Sequence, residues 1–156
     1  MIWNVLDRAA VRIVVANGGV RSAPYTVQLT KSAPGVFTYN GGWATATNHF
    51  GELTSPSTPA VRSKQLTIYM TGQGEVAPSL RTGRAATDRP LIFAPARTRV
   101  FIGGVEAKVL FVGLTPGLVG VLQVNVEPHY LTPTGTQPLI VNLNGFESNA
   151  TQVEMR

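Results

Sequence analysis

The stretch "LIVNLNGFESNATQVEM" (139–155) decides how the rest of the sequence is interpreted, because a near copy of it lies close to the other end of the chain. The copy is "IVVANGGVRSAPYTVQL" (13–29). Each places apolar residues on both sides of a glycine-containing turn, which is the pattern of a β-hairpin. Aligned without gaps, the two stretches are identical at Val15 and Val141, Gly19 and Gly145, Ser22 and Ser148, and Val27 and Val153.

The two predicted hairpins allow two interpretations of the domain organisation. In the first, residues 1–31 are the tail of a preceding sandwich whose other strands are lost or supplied by another subunit, because no counterpart of "VLQVNV" (121–126) precedes them. In the second, residues 10–30 open the same sandwich that residues 139–155 close, and the likeness reflects common turn chemistry. The predicted boundary is the same in both: a hairpin over residues 1–31 and a sandwich over residues 32–156. A hairpin cannot hide its apolar face alone, so the first interpretation predicts pairing or polymerisation with a neighbour.

The remaining sequence is also built from short strands. Apolar residues alternate, or form short runs between turn residues, in "WATATNHF" (43–50), "KQLTIYMTG" (64–72) and "LVGVLQVNVEP" (118–128). "RTRVFIGGVEAKVLFVGL" (97–114) has the pattern of a further hairpin, whereas residues 73–96 form the longest irregular region. About nine strands with turn signals at short intervals predict an all-β fold, an antiparallel immunoglobulin-like β-sandwich.

Composition excludes several classes of protein. The 156 residues suit one domain, and the absence of cysteine excludes a disulfide framework, a thiolate zinc site and a cysteine nucleophile. The net charge of +5 indicates a mildly basic surface, so we expect no nucleic-acid binding. No run reaches the about 18 apolar residues of a membrane helix, so we expect no membrane insertion. "MIWNVLDRAA" (1–10) has neither a basic n-region nor an apolar h-region, so we predict no signal peptide there.

Several phrases together resemble the uncharacterised β-rich C-terminal domain that recurs in Solibacter and its acidobacterial relatives. They are "NGGVRSAPYTVQL" (17–29), "APGVFT" (33–38), "SPSTPA" (55–60), "IYMTGQGEV" (68–76), "VFIGGVEAKVLFVGLTPGLVGVLQVNV" (100–126) and "LIVNLNGFESNATQVEM" (139–155). The resemblance covers most of the chain. It implies an immunoglobulin-like or related sandwich of secreted or surface proteins, and therefore an extracellular or cell-surface location. The family has no established catalytic residues, so the resemblance implies no chemistry.

The residues themselves carry no recognisable catalytic, metal or cofactor motif. "TGQGEV" (71–76) contains Gly-x-Gly after a strand, but it lacks the further glycine or Gly-Lys-Thr end, and the helix, that a phosphate loop needs. His49 and His129 are the only histidines, and no Gly-x-Ser-x-Gly nucleophile elbow is present. The 8 carboxylates are scattered and form no nominable glycosidase pair. We therefore predict that the chain is not an enzyme and uses no cofactor, with an unrecognised hydrolase site as a weaker alternative.

Two features are candidates for contact with a ligand or partner. The densest positive charge in the chain lies in and just after the long irregular region, at Arg81, Arg84, Arg89, Arg97 and Arg99. This loop could bind an anionic polysaccharide, a phosphate backbone or an acidic neighbouring subunit, or it could be a solvated loop. Trp43 follows the turn "YNGG" (39–42) and is the best single candidate for stacking on a sugar face, the alternative being that it packs between sheets.

These observations favour a non-catalytic extracellular structural or interaction module, a subunit of a surface assembly or filament. Its expected partner is protein, either another copy of the chain or domains of a host protein, bound through β-edge pairing and apolar packing. The alternative is a carbohydrate-binding module that uses Trp43 and the arginine loop to hold a polysaccharide.

Overall fold

The structure, a computed structural model, describes residues 9–156, and all the regular structure among them is β-strand. The prediction of an all-β fold is therefore confirmed for this part of the chain. None of its segments is a helix long and apolar enough to cross a membrane. The chain divides into two compact units, Met1–Lys31 and Ser32–Arg156, which we call the N-terminal hairpin and the main domain.

The N-terminal hairpin contains two short antiparallel strand pairs. The outer pair is Ala10–Ile13 (β1) with Tyr25–Gln28 (β4), and the pair nearer the turn is Ala16–Asn17 (β2) with Val20–Arg21 (β3). The described part of the predicted hairpin, residues 10–28, is thus formed by antiparallel pairs, and residues 1–8 of the prediction lie outside the described residues. The turn is closed by Gly18 and Gly19, whose φ angles of 56° and 82° fall in the region that glycine enters without a steric penalty.

The main domain is one sheet of eleven strands. The strands are Gly35–Val36 (β5), Thr38–Tyr39 (β6), Trp43–Ala44 (β7), Ala46–Thr47 (β8), Leu66–Thr71 (β9), Thr98–Ile102 (β10), Val105–Leu114 (β11), Leu122–Glu127 (β12), Gly135–Leu143 (β13), Phe146–Glu147 (β14) and Thr151–Met155 (β15). Along the sheet their order is β5-β9-β12-β11-β10-β13-β15-β7-β6, with β8 paired to β9 and β14 paired to β13.

The main sheet is mixed and nearly closed, rather than wholly antiparallel as the sequence predicted. β15 runs parallel to β7, where Gln152 is the partner of Trp43, and the other strand pairs are antiparallel. β5 and β6 lie at opposite ends of the strand order but are separated along the chain by Phe37 alone. The two ends of the sheet are therefore adjacent in space, which gives a barrel-like arrangement. The parallel pair escapes sequence analysis because β7 is only two residues long.

The core of the main domain follows the two-residue period of its strands. In β12 the side chains of Leu122, Val124 and Val126 are fully buried, whereas the residues between them are half-buried. β11 pairs with β10 through Val105–Ala107 and with β12 through Lys108–Leu114, and a register shift falls between Val109 and Phe111. The same long strand therefore joins the two parts of the sheet that enclose the core.

The irregular region at residues 73–96 is packed. Ala86 and Ile92 are buried with Leu114 of β11, and Val76 and Leu80 pack against this small apolar cluster. Isolated bridges join Ala77 to Phe93 and Phe93 to Gly113. The region therefore covers the end of β11.

Gly72 follows β9 and lies against Ala33, near the start of the main domain, where there is no space for a side chain. Ala33 donates a backbone hydrogen bond of 2.8 Å to the Gly72 carbonyl, and a Cβ on Gly72 would overlap the carbonyl of Ala33. The φ angle of Gly72 is also positive, at 85°.

We expect Gly72→Ala to lower the free energy of unfolding by about 2–5 kcal/mol, since it adds a backbone clash to an unfavourable φ. Gly120→Ala is the matched control, because Gly120 has a φ of 68° with open space around it. The control should cost only the about 1–2 kcal/mol of the left-handed conformation. Urea unfolding followed by circular dichroism measures both, and equal losses in the two variants would contradict the packing argument.

Candidate functional site

The five candidate arginines are all exposed, and they fall into two places. Arg81, Arg84 and Arg89 lie in the packed irregular region, where the Arg84 amide donates to the Arg81 carbonyl across a turn at 3.1 Å. Arg97 and Arg99 lie at the start of β10. The backbone of Arg97 is held by the turn of the last hairpin, with reciprocal hydrogen bonds of 3.0 and 2.9 Å to Asn144.

Arg99 is occupied by an internal partner. Its guanidinium donates two hydrogen bonds of 2.9 Å to the carboxylate of Glu106 on β11, and its Cζ lies 4.8 Å from the centroid of the Phe101 ring. The hydrogen bond to Arg99 holds the pKa of Glu106 below its usual value, with a smaller contribution from the charge of Arg97. The same pair raises the pKa of Arg99. A bidentate pair of this kind fixes the geometry of the β10–β11 hairpin, so Arg99 is a poor candidate for ligand contact.

Trp43 is half-buried on the sheet, and it follows Gly41 and Gly42, which line an open groove that Trp43 itself does not line. Its neighbour Ala44 is fully buried, so alternation along β7 places Trp43 on the other face of the strand. The groove has a volume of ≈ 370 Å³, and its lining includes Gly42, Pro138 and Gln152. The Gln152 amide donates a 3.0 Å hydrogen bond to the Gly42 carbonyl, which joins the two sides of this groove.

The two histidines are exposed and each is stacked on the following aromatic ring. His49 lies 3.9 Å from Phe50 and His129 lies 4.3 Å from Tyr130, measured between ring centroids. Nδ1 of His129 also accepts a 3.2 Å hydrogen bond from the Leu131 amide. Within residues 9–156, no group of three His, Cys, Asp or Glu side chains is placed to hold a metal ion.

The strongest candidate surface lies on the N-terminal hairpin, because this hairpin is a structural copy of the last hairpin of the main domain. In the N-terminal hairpin the partners are Ala10 with Gln28, Val11 with Val27, Arg12 with Thr26, and Ile13 with Tyr25. The aligned residues of β13 and β15 pair identically: Thr136 with Glu154, Gln137 with Val153, Pro138 with Gln152, and Leu139 with Thr151. Nearer the turn, Ala16–Arg21 and Asn17–Val20 correspond to Asn142–Glu147 and Leu143–Phe146.

The shared serine makes the same hydrogen bonds in both hairpins. The Ser22 amide donates to the Val15 carbonyl at 2.9 Å, and the Val15 amide donates to the Ser22 hydroxyl at 3.1 Å. Ser148 and Val141 make the equivalent pair at 2.8 and 3.1 Å. Each serine hydroxyl then donates to the carbonyl of the next residue. The identities at Val15 and Ser22 therefore preserve one local geometry.

The two hairpins differ in how their apolar side chains are covered. In the last hairpin Leu139 and Val141 are 0% exposed. In the N-terminal hairpin the aligned Ile13 and Val15 are 50% and 66% exposed. Tyr25, which aligns with buried Thr151, is 73% exposed. The N-terminal hairpin thus presents to solvent the face that its copy buries in a core.

Asn149 is a structural residue that the sequence pattern did not single out. Its side-chain Oδ1 accepts a 2.8 Å hydrogen bond from the Val36 amide, and its Nδ2 donates at 3.1 Å to the Val36 carbonyl. These bonds fasten the last hairpin to β5. The aligned residue of the N-terminal hairpin is Ala23, which has no side-chain amide.

Comparison of the chain with family models, with curated proteins and with solved structures finds no match. The functional argument therefore depends on the geometry of the chain itself.

We expect Leu139→Ala and Ile13→Ala to have very different effects, although the two residues are aligned. Leu139→Ala removes fully buried methyl groups and should cost about 2–5 kcal/mol of unfolding free energy. Ile13→Ala changes an exposed side chain and should stay within about 0.5 kcal/mol. Urea unfolding of the full chain measures both. Similar losses would show that Ile13 is covered in solution and would contradict the exposed-face description.

Proposed function

We propose that the chain is a non-catalytic structural or interaction module of an extracellular or cell-surface assembly, and that the N-terminal hairpin is its contact element. The main domain, in this proposal, is an immunoglobulin-like β-sandwich that serves as the rigid body. β10, β13 and β15 would form one layer and β9 and β12 the other, with β11 shared between them. Its two-residue burial period and the register shift in β11 support this description.

The observation that carries the proposal is the exposed apolar face of the N-terminal hairpin. Ile13, Val15 and Tyr25 are each at least half exposed, and Val20 adds a fourth large apolar side chain that is 74% exposed. Contiguous apolar surface of this kind marks interaction sites in soluble proteins. Isolated two-stranded hairpins are marginally stable in water, so a covering partner would also stabilise the hairpin itself.

The edges of the hairpin support the same function. β1 and β4 form a two-stranded sheet, so the outer edge of each strand carries backbone donors and acceptors that face away from the other strand. A strand edge of this kind is a template for pairing with another chain. Apolar packing would then supply affinity, and main-chain hydrogen bonds would set the register.

We expect the purified full chain, in the absence of a partner that covers this face, to self-associate through the exposed apolar side chains of the hairpin. Light scattering after size exclusion at physiological salt should give a mass above 16.6 kDa that rises with concentration. The double variant Ile13→Lys with Val15→Lys should return the mass to that of a monomer, because it places charge on the apolar face. The matched control is Leu118→Lys with Val119→Lys, two apolar residues of the main domain that are 46% and 56% exposed.

The control variant should associate as the unchanged chain does. A mass of one chain at every concentration would contradict the proposal. Equal loss of association in the two double variants would also contradict it, because the effect would then follow from added charge alone.

Carbohydrate binding is the second candidate function, and the position of Trp43 favours it. An indole on an outer sheet face, next to a groove lined by backbone-exposing Gly41 and Gly42, can stack on a sugar ring. Exposed Arg81 and Arg84 would extend the preference toward anionic polysaccharides.

This second candidate predicts that polysaccharides quench tryptophan fluorescence and that Trp43→Phe abolishes the quenching. The variant is required because Trp3 also emits. Arg81→Gln with Arg84→Gln should weaken quenching by anionic polymers and leave neutral ones unaffected. A flat signal from the unchanged chain across neutral and anionic polysaccharides would rule out a Trp43 platform.

A further inference from the structure

We propose that the N-terminal hairpin completes the core of an acceptor domain that has the topology of the main domain, and that this acceptor is a partner protein other than a second copy of this chain. The inference rests on the proposed function, since it names the partner of the same contact element. In this arrangement, the exposed face of the hairpin becomes part of the apolar core of the acceptor domain.

The main domain shows how such a hairpin is covered. β13 lies against β10, with Val141 opposite Val100, and β15 lies against β7, with Gln152 opposite Trp43. The hairpin is thus inserted between two strands, and Leu139, Val141 and Val153 point into the core. Because the N-terminal hairpin has the same register and the same turn hydrogen bonds, it offers the aligned Ile13, Val15 and Val27 on one face to an acceptor of this topology.

Two substitutions between the hairpins argue against a second copy of this chain as the acceptor. Tyr25 aligns with Thr151, which is 6% exposed and whose hydroxyl donates to the Leu139 carbonyl at 2.9 Å. A tyrosine there would overpack the core. Asn17 aligns with fully buried Leu143, so it would bring an amide into an apolar site. Each copy also has its own last hairpin already in place.

The same two residues describe the acceptor that is expected. Its core must have space for a tyrosine where the main domain has room for a threonine. It must also leave the position of Asn17 open to solvent or to a polar partner. The acceptor further lacks an asparagine clamp from the hairpin, because Ala23 replaces Asn149.

A hairpin graft in the full chain tests the inference. In the graft, residues 135–156 are replaced by the aligned residues 9–30. We expect it to fold cooperatively with a lowered thermal midpoint, because it carries the mismatches at Tyr25 and Asn17. A corrected graft adds Tyr25→Thr, Asn17→Leu and Ala23→Asn within the grafted segment, and it should recover most of the lost midpoint.

A graft shifted by one residue, with residues 10–31 in place of 135–156 and the same three changes, is the matched control. The shift turns every side chain to the opposite face, so this protein should not fold. A corrected graft that fails to fold, or one no more stable than the shifted graft, would overturn the inference.

A cysteine pair decides between a separate acceptor and a second copy. The chain has no cysteine, so in Val15→Cys with Val100→Cys a disulfide between positions 15 and 100 of two chains, identified by peptide mass mapping, reports insertion of the hairpin into a second copy. We expect no link between positions 15 and 100, whereas the control Val100→Cys with Val141→Cys should form an internal disulfide because these residues are opposite each other. A link between positions 15 and 100 of two chains would show that the hairpin enters a second copy of the chain, and the separate acceptor would be wrong.

The graft and the light-scattering experiment can fail independently. If the corrected graft folds but the unchanged chain does not associate, the hairpin fits this topology and is not a contact element. If the unchanged chain associates but the corrected graft does not fold, the hairpin is a contact element and the proposed partner is wrong.

Discussion

The two strands of a β-hairpin cannot by themselves cover its apolar face. In the main domain, the other strands of the sheet cover the apolar face of the last hairpin. β13 and β15 are held between β10 and β7, and their inward side chains complete the core formed by β9, β11 and β12. Asn149 fastens the hairpin to β5, and Asn144 fastens its turn to the backbone of Arg97. Removal of this hairpin would uncover Val100, Val124 and the residues around them, so the domain depends on it.

The chain contains this hairpin geometry twice, and the two copies differ in the burial of their apolar side chains. The N-terminal hairpin has the register and the serine hydrogen bonds of the last hairpin, yet Ile13 and Val15 are exposed where Leu139 and Val141 are buried. The same short-range hydrogen bonds therefore occur with both patterns of burial. Burial of the apolar face of the N-terminal hairpin would require additional strands, and this requirement is the physical basis of the proposed role in association.

The five candidate arginines lie in two places, and one of them has an internal partner. Arg99 is engaged with Glu106, a partner on the neighbouring strand that lies seven residues further along the chain. Arg81, Arg84 and Arg89 are exposed as expected, but the region that contains them is packed through Ala86 and Ile92. Sequence spacing could not show this, since the cluster also needs Leu114 from a strand that pairs with other elements.

The sequence alone is enough to predict the strands whose signal is local. Alternating apolar residues predicted β9 and β12, and glycine-containing turns predicted hairpins over residues 13–29, 97–114 and 139–155. It also determined the likeness of the two end hairpins, because Val15, Gly19 and Ser22 recur at aligned positions. The parallel contact of Trp43 with Gln152, the near closure of the sheet and the clamp by Asn149 are visible only in the folded chain. The contact and the clamp join residues far apart in the sequence through one or two contacts, and the closure depends on the order of all the strands between β5 and β6, so the local periodicity of the chain contains no record of them.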